Sequence, residues 1–394
     1  MTDEAVTERG AVPRFIVVLE HDWGYAAHTR NLERAVRAER DLDVRVIRVG
    51  RDDSSRRRPL PGLGTWSFRA SVETRSGLRR RLSRRGVDAV YIHSQVASLL
   101  AVDLMRHVPT VISLDATPRN YDEVGDAYGH RRQGRTVEWL KWAINRRAFD
   151  AARALVPWSQ WVADSLVDDY GVTRDKVTLI RPGVDLSRFR PPPRGRPRGG
   201  PVRILFVGHD FHREGGDDLL RAMVEPGLPA ELDIVTSSSV VLPSGVRGSV
   251  HTGIEPLSQS LVDLFQRADL LALPTRGETY PQVIAQAMAC GLPVVATRVG
   301  AIPEVVHSGV NGLLVFPGDV GELATALRTL ATDAGLRRRM GESGLRLAQR
   351  DHDARANNAA IFALMRRLAG WSPSAMGSRL GVKTPSCSVV EVIP

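Results

Sequence analysis

Residues 268–304 read ADLLALPTRGETYPQVIAQAMACGLPVVATRVGAIPE. The stretch opens with an apolar run of strand length, Ala268 to Pro274, which Pro-Thr-Arg-Gly stops. A helix is predicted from near Pro281, since proline in the first turn gives up an amide that had no partner there. Val283, Ile284, Ala287 and Met288 recur at helical spacing, and Gly291 ends the helix. A second buried strand, Leu292 to Thr297, follows at once. Strand, helix and strand of this length make a parallel crossover. In such units the loop after the strand and the helix start face one crevice, where open α/β sheets bind ligands. Glu278 lies in that loop. Thr279, Tyr280, Pro281 and Gln282 form the helix start, whose amides can meet an anion or a hydroxyl. Gln286 follows seven intervening residues after Glu278.

These residues resemble the donor-site signature of the retaining family 4 glycosyltransferases, which have the GT-B fold. That signature is a Glu, seven residues, a second Glu, and then Ala-Met-Ala-x-Gly-x-Pro-Val-Val-Ala-Thr. Here Glu278 is followed by Gln286 in place of the second Glu, and AMACGLPVVAT (287–297) is intact. The resemblance implies that Glu278 contacts sugar hydroxyls and that Gln286 meets the nucleotide ribose, as an uncharged donor and acceptor. It further implies two Rossmann-like, doubly wound α/β domains facing a cleft.

The composition fits that architecture. At 394 residues the chain has room for two or three domains with cores of their own. Hydrophobic residues at 43% and charged residues at 25% are ordinary for a globular protein. No apolar run approaches the roughly 20 residues that span a bilayer. The first twelve residues, MTDEAVTERGAV, do not read as a secretion signal, and Cys290 and Cys387 form no disulfide framework or zinc site. A cytoplasmic location is the expectation. The net charge of +10 is unevenly placed: residues 51–85 hold 11 Lys+Arg against 3 Asp+Glu. This segment is read as a solvated arginine-rich face, with an anionic membrane surface or acceptor as the alternative partner through Arg79, Arg80, Arg81, Arg84 and Arg85. Nucleic acid is the least favoured of the three.

From the start of the chain, residues 14–19 form a first strand, with Gly24 at the strand-to-helix turn and His28, Arg30 and Asn31 on the scaffold helix that follows. One glycine alone is a weak phosphate signal. The resemblance makes Gly24 the place where backbone approaches the donor phosphates. Further strands are predicted at 44–49, 89–93, 110–114 and 154–157, alternating with helical stretches around 96–106, 135–150 and 159–170. This pattern argues a doubly wound parallel sheet. The polar segment SLDATPRNYDEVGDAYGHRR (113–132) follows the 110–114 strand, where an α/β protein puts its chemistry. Asp115 stands where many family members carry a His near the transferred sugar. It is read as a partner for a sugar hydroxyl or for positive charge at the anomeric carbon, or else as a turn residue. Tyr128, His130 and Arg131 extend the loop toward an acceptor.

Arg-Pro-Gly-Val-Asp (181–185) resembles the family's passage between domains, and residues 191–200 are nearly all Pro, Gly and Arg. The expected organisation is a first domain over 1–190, a linker over 191–200 and a donor-binding domain over 201–350. A helix at 351–370 then returns to the first domain, and a tail covers 371–394. The second domain opens with a strand at 203–207 and a loop holding Gly208, where the family places an Arg and a Lys on the donor diphosphate. Arg213 matches the Arg, but Glu214 stands in the place of the Lys. Arg276 and Arg298 are candidate substitutes for the missing cation. A strand is expected at 231–236, a base-facing loop at 250–253 and a helix at 257–267, while Gly300 and Glu304 resemble the family's turn after the signature.

No Gly-x4-Gly-Lys loop is present, because none of the three lysines, Lys141, Lys176 and Lys383, follows a glycine. No metal-ligand spacing is found, and His209 and His212 are not read as a pair. Asp168-Asp169 and Asp217-Asp218 read as helix-end or surface charges. The functional expectation is a metal-independent, retaining transfer of a sugar from a nucleotide-diphosphate donor, with no cofactor, to a small-molecule, lipid or glycan acceptor. Arg213, Glu278 and Asp115 are the expected catalytic residues. Two alternatives remain: a catalytically impaired partner or sugar-binding subunit, and a phosphorolytic disaccharide enzyme of the same fold.

Overall fold

The computed structural model describes residues 12–371 apart from 22, 51–65, 84–85, 194, 196–199 and 226–227. Arg84 and Arg85, half of the 191–200 linker and the expected tail beyond Trp371 lie outside the described residues. The first domain runs β1 (Arg14–Glu20), α1 (Ala26–Ala38), β2 (Asp43–Val49), α2 (Trp66–Leu82), β3 (Ala89–His93), α3 (Val102–Met105), β4 (Thr110–Leu114), α4 (Pro118–Val124), α5 (Arg135–Ala151), β5 (Ala154–Pro157) and α6 (Gln160–Asp168). Its five strands are all parallel, in the order β2-β1-β3-β4-β5. β3, β4 and the edge strand β5 are buried along their whole length, so they read as nearly continuous apolar runs.

Two helices are not foreseen by the sequence reading. The inner face of α2 is Ala70, Ser71, Thr74 and Leu78, so small and polar residues conceal the helical period. α4 interrupts the polar 113–132 segment. Its cap is Thr117, whose hydroxyl accepts from the Asn120 amide while the Asn120 side chain accepts from the Thr117 amide.

The second domain runs β6 (Val202–Val207), α7 (Gly216–Met223), β7 (Ala230–Val235), β8 (Gly248–His251), α8 (Gln259–Arg267), β9 (Leu270–Leu273), α9 (Gln282–Ala289), β10 (Val294–Thr297), α10 (Ile302–Val305), β11 (Gly312–Val315), α11 (Val320–Thr332), α12 (Ala334–Asp351) and α13 (Ala354–Leu368). Its six strands are parallel, in the order β11-β10-β9-β6-β7-β8. Residues 250–251, read as part of a base-facing loop, close the edge strand β8 instead, because Val250 and His251 pair with Ile234 and Val235. The β9-α9-β10 crossover forms as its sequence dictates, with Pro281 at the helix cap and Gly291 in the left-handed region at φ +72°.

The helical run from Ala334 breaks at His352. α12 stays on the second domain against α9, while α13 crosses to the first. There Ile361, Phe362 and Met365 join Phe15, Val17 and Tyr91 in one apolar cluster. At the crossing the Val184 amide donates to the His352 carbonyl and the Ala354 amide to the Val184 carbonyl. A Cβ on Gly183 would lie 2.1 Å from the Ala354 α-carbon, so only glycine admits the returning strand of chain.

Candidate active site

The carboxyl ends of both sheets meet at a seam. From the first domain, Asp115 stands directly after β4 and is buried. The Thr279 hydroxyl, which comes from the loop after β9, donates to Asp115 Oδ2 at 2.7 Å. Tyr25 also bonds this carboxylate. Burial pushes Asp115 above the usual carboxylate range, against the pull of those two hydrogen bonds.

Arg213 occupies the loop between β6 and α7. Its guanidinium lies over the Tyr128 ring at 4.5 Å and donates to the Gly277 carbonyl at 2.7 Å. Nη1 stands 3.7 Å from Glu278 Oε2, and Nη2 donates to Glu214 Oε1 at 2.6 Å. Glu278 is largely buried, and its Oε1 accepts from the Thr279 amide at 3.0 Å. Burial raises its pKa while Arg213 opposes. Arg213, Glu278 and Tyr128, which span 150 positions of sequence, therefore share one contact group.

Glu214 stands at the position where the family resemblance implies a lysine. Its Oε2 is buried without a hydrogen-bond partner among the described residues. That oxygen would lie 1.9 Å from a Cβ on Gly208, so the missing side chain at Gly208 makes room for the carboxyl. Burial raises Glu214 from 4.5 to about 8, with Arg213 pulling the other way and Glu278 and Asp210 adding to the rise. Neither proposed substitute cation helps. Arg276 is held by the buried Asp218 through two hydrogen bonds of 2.9 and 2.8 Å, and Arg298 lies over Phe316. Asp217 and Asp218, read as helix-end or surface charges, both stand in the first turn of α7: Asp218 is a buried clamp, whereas Asp217 is exposed and bonds His212.

The remaining predicted residues divide. Gly24 sits in a 3-10 turn (Trp23–Tyr25), and its carbonyl accepts from the Gln282 side chain at 3.0 Å across the seam. One turn further along the same side of α9, Gln286 is buried with its side-chain carbonyl unpartnered. Tyr280 is buried between the domains: its ring packs edge-on against Trp158, just after β5, and its hydroxyl lies 3.4 Å from His352 Nδ1. His130 bonds Asp122 and packs on Tyr121, and Arg131 is exposed. Among the described residues no group of three or more His, Cys, Asp or Glu could hold a metal.

Three features were not legible beforehand. His28, His93 and Trp158 form a buried ring cluster behind Tyr25, with both His93 nitrogens unpartnered and burial holding that ring neutral. Glu304 caps α6 from the other domain, accepting from the Gln160 and Trp161 amides at 2.7 Å each. Arg30 ties α1 to the Pro256 carbonyl.

Comparison with known proteins now bears on this geometry. The family model "Glycosyltransferase Family 4" matches residues 24–188, and "Glycosyl transferases group 1" matches residues 201–333. The chain belongs to the family 4 glycosyltransferases. Among curated relatives, the D-inositol 3-phosphate glycosyltransferase of Saccharomonospora viridis is 32% identical over 239 residues, covering 54% of this chain and 56% of that protein. The Pseudarthrobacter chlorophenolicus protein of the same name is 27% identical over 312 residues, covering 74% and 72%. The match spans about half the length of the first of these relatives. Sucrose-phosphate synthase of Thermosynechococcus elongatus superposes with TM-score 0.70 at 18% identity, covering 91% of this chain and 99% of that one. Anabaena HepE in complex with UDP superposes with TM-score 0.66 at 16% identity, covering 90% and 100%. This member of the family thus has the GT-B fold.

Proposed function

We propose that this GT-B protein transfers a sugar from a nucleoside-diphosphate donor to a hydroxyl acceptor, retaining the configuration at the anomeric carbon. One observation carries the reading. A largely buried arginine and a largely buried acid, Arg213 and Glu278, stand 3.7 Å apart at the seam between the two sheets, with the guanidinium over a tyrosine ring of the opposite domain. HepE, a structural neighbour, has been seen with UDP and with UDP-glucose, which supports a nucleotide-sugar donor here.

The reaction separates charge: the bond from anomeric carbon to phosphate oxygen breaks, and the diphosphate gains negative charge. A preorganised guanidinium beside that oxygen stabilises the transition state more than the ground state. In this reading Arg213 and the start of α9 meet the diphosphate without a metal, Glu278 holds sugar hydroxyls, and the free carbonyl of Gln286 accepts a ribose hydroxyl. Asp115 faces the anomeric carbon. The acceptor hydroxyl bonds that carbon on the face the phosphate leaves and passes its proton to the departing phosphate oxygen, as the family resemblance implies. A thermal-shift panel of UDP-, GDP-, ADP- and dTDP-sugars tests the proposal: at least one raises the melting temperature of the wild type and not of Arg213→Ala. Protection by none of them contradicts it.

A second reading draws on Glu214. A carboxyl in place of the lysine next to Arg213 suits a subunit that binds sugar nucleotides without turning them over. Donor binding without product formation across an acceptor panel would favour that reading.

A further inference from the structure

The outer face of α5 carries an apolar strip that no described residue covers. On its inner side Asn145, Ala148 and Phe149 are buried, and Trp142 stacks on Tyr170. On the other side Trp139 is 63% and Leu140 51% exposed, with Val137 and Ile144 also exposed. At helical spacing, residues 137, 140 and 144 form one ridge, and Trp139 stands about 100° round the helix from Leu140, across the outward face. Four large apolar side chains exposed on one helix are unusual for a surface that faces only water.

Charge chooses the occupant. Arg147 lies within the strip, and Arg131 and Arg135 lie at its amino-terminal end, all three exposed. The acids of this helix are engaged elsewhere: Glu138 accepts from Lys141 and the Gln133 amide, and Asp150 pairs with Arg146. A second copy of the chain meeting this face about a two-fold axis would set like charges against each other. An anionic bilayer surface instead takes the arginines at its headgroups and the Trp and Leu at the acyl boundary. We propose that α5 is an interfacial helix that docks this protein on an anionic phospholipid surface. This face is distinct from the 79–85 arginine cluster, of which Arg84 and Arg85 lie outside the described residues. Arg79 and Arg80 are exposed on α2, and Arg81 turns back to the Gly77 carbonyl. The residues 129–134 that lead into α5 continue from Tyr128, which lies under Arg213, so a docked helix would bring the seam close to the membrane. The inference stands independently of the donor reading, because its test uses no nucleotide.

The full chain is sedimented with vesicles of phosphatidylcholine alone and of phosphatidylcholine with phosphatidylglycerol. It is expected to pellet with the anionic vesicles and to be released by salt. Trp139→Ser with Leu140→Ser is expected to cut the partition coefficient about tenfold or more. Arg131→Gln with Arg135→Gln and Arg147→Gln should flatten the salt dependence, and Arg79→Gln with Arg80→Gln should change little. These side chains are exposed, so the variants should fold, which their melting curves check. The proposal is overturned if the wild type stays in the supernatant, if it pellets equally with neutral vesicles, or if the Trp139 and Leu140 variant pellets as the wild type does. It is equally overturned if that variant converts a dimer to a monomer in sedimentation velocity.

Discussion

Replacing Glu214 by Gln isolates the one carboxyl that the site places against expectation. Its side chain is buried, with one oxygen on Arg213 and the other unpartnered over Gly208. Burial raises it from 4.5 to about 8 in the folded protein. The folded state therefore holds a proton that the unfolded state has released across that window. Stability from this group is fully present below pH 4.5 and is lost as pH rises through about 8. At about 1.4 kcal/mol per pK unit, the full window is worth on the order of 4–5 kcal/mol. Gln keeps the shape and the hydrogen bond of the neutral acid but cannot ionise. Asp115 and Glu278, also raised by burial, are common to both proteins and cancel in the difference. Denaturant unfolding at pH 5 and pH 8.5 should thus show the Gln protein gaining on the wild type by several kcal/mol between the two. A difference that does not change with pH would refute the claim that Glu214 is buried as an acid. Nucleotide affinity should follow the same titration, because an ionised Glu214 repels a diphosphate and a neutral one does not.

Arg213→Ala should weaken donor binding by about 10- to 100-fold, the worth of one charge-assisted contact, as calorimetry with the protecting nucleotide sugar would read. Glu304→Ala removes the cap that the second domain places on α6, and is expected to lower stability by about 1–2 kcal/mol in denaturant unfolding. Gly183→Ala puts a methyl group into the backbone at Ala354. A cost of about 1–3 kcal/mol or more is expected, with limited proteolysis near residues 352–354 showing α13 loosened.

The sequence shows the strands well, and for a physical reason. Parallel strands buried on both faces are continuous apolar runs, so 89–93, 110–114 and 154–157 coincide with β3, β4 and β5. The β9-α9-β10 crossover is equally plain, since proline and glycine mark its helix ends. α2 is hidden because its inner face uses Ala, Ser and Thr. Edge strand β8 is hidden because only its Val250 is large and apolar. At the site, Arg213, Glu278 and Asp115 can be named from local motifs. Their partners cannot. The Tyr128 ring under Arg213 and the Thr279 hydroxyl on Asp115 join residues 85 and 164 positions apart. The orientation of Glu214 likewise depends on the bare α-carbon of Gly208, which no spacing rule conveys.

The decisive measurement is a crystal structure with the protecting nucleoside diphosphate bound. The terminal phosphate is expected against the Arg213 guanidinium and the start of α9, with Gln286 on the ribose and Glu278 facing the empty sugar position. A nucleotide bound elsewhere, with Arg213 still closed on Glu214 and Glu278, would contradict this placement.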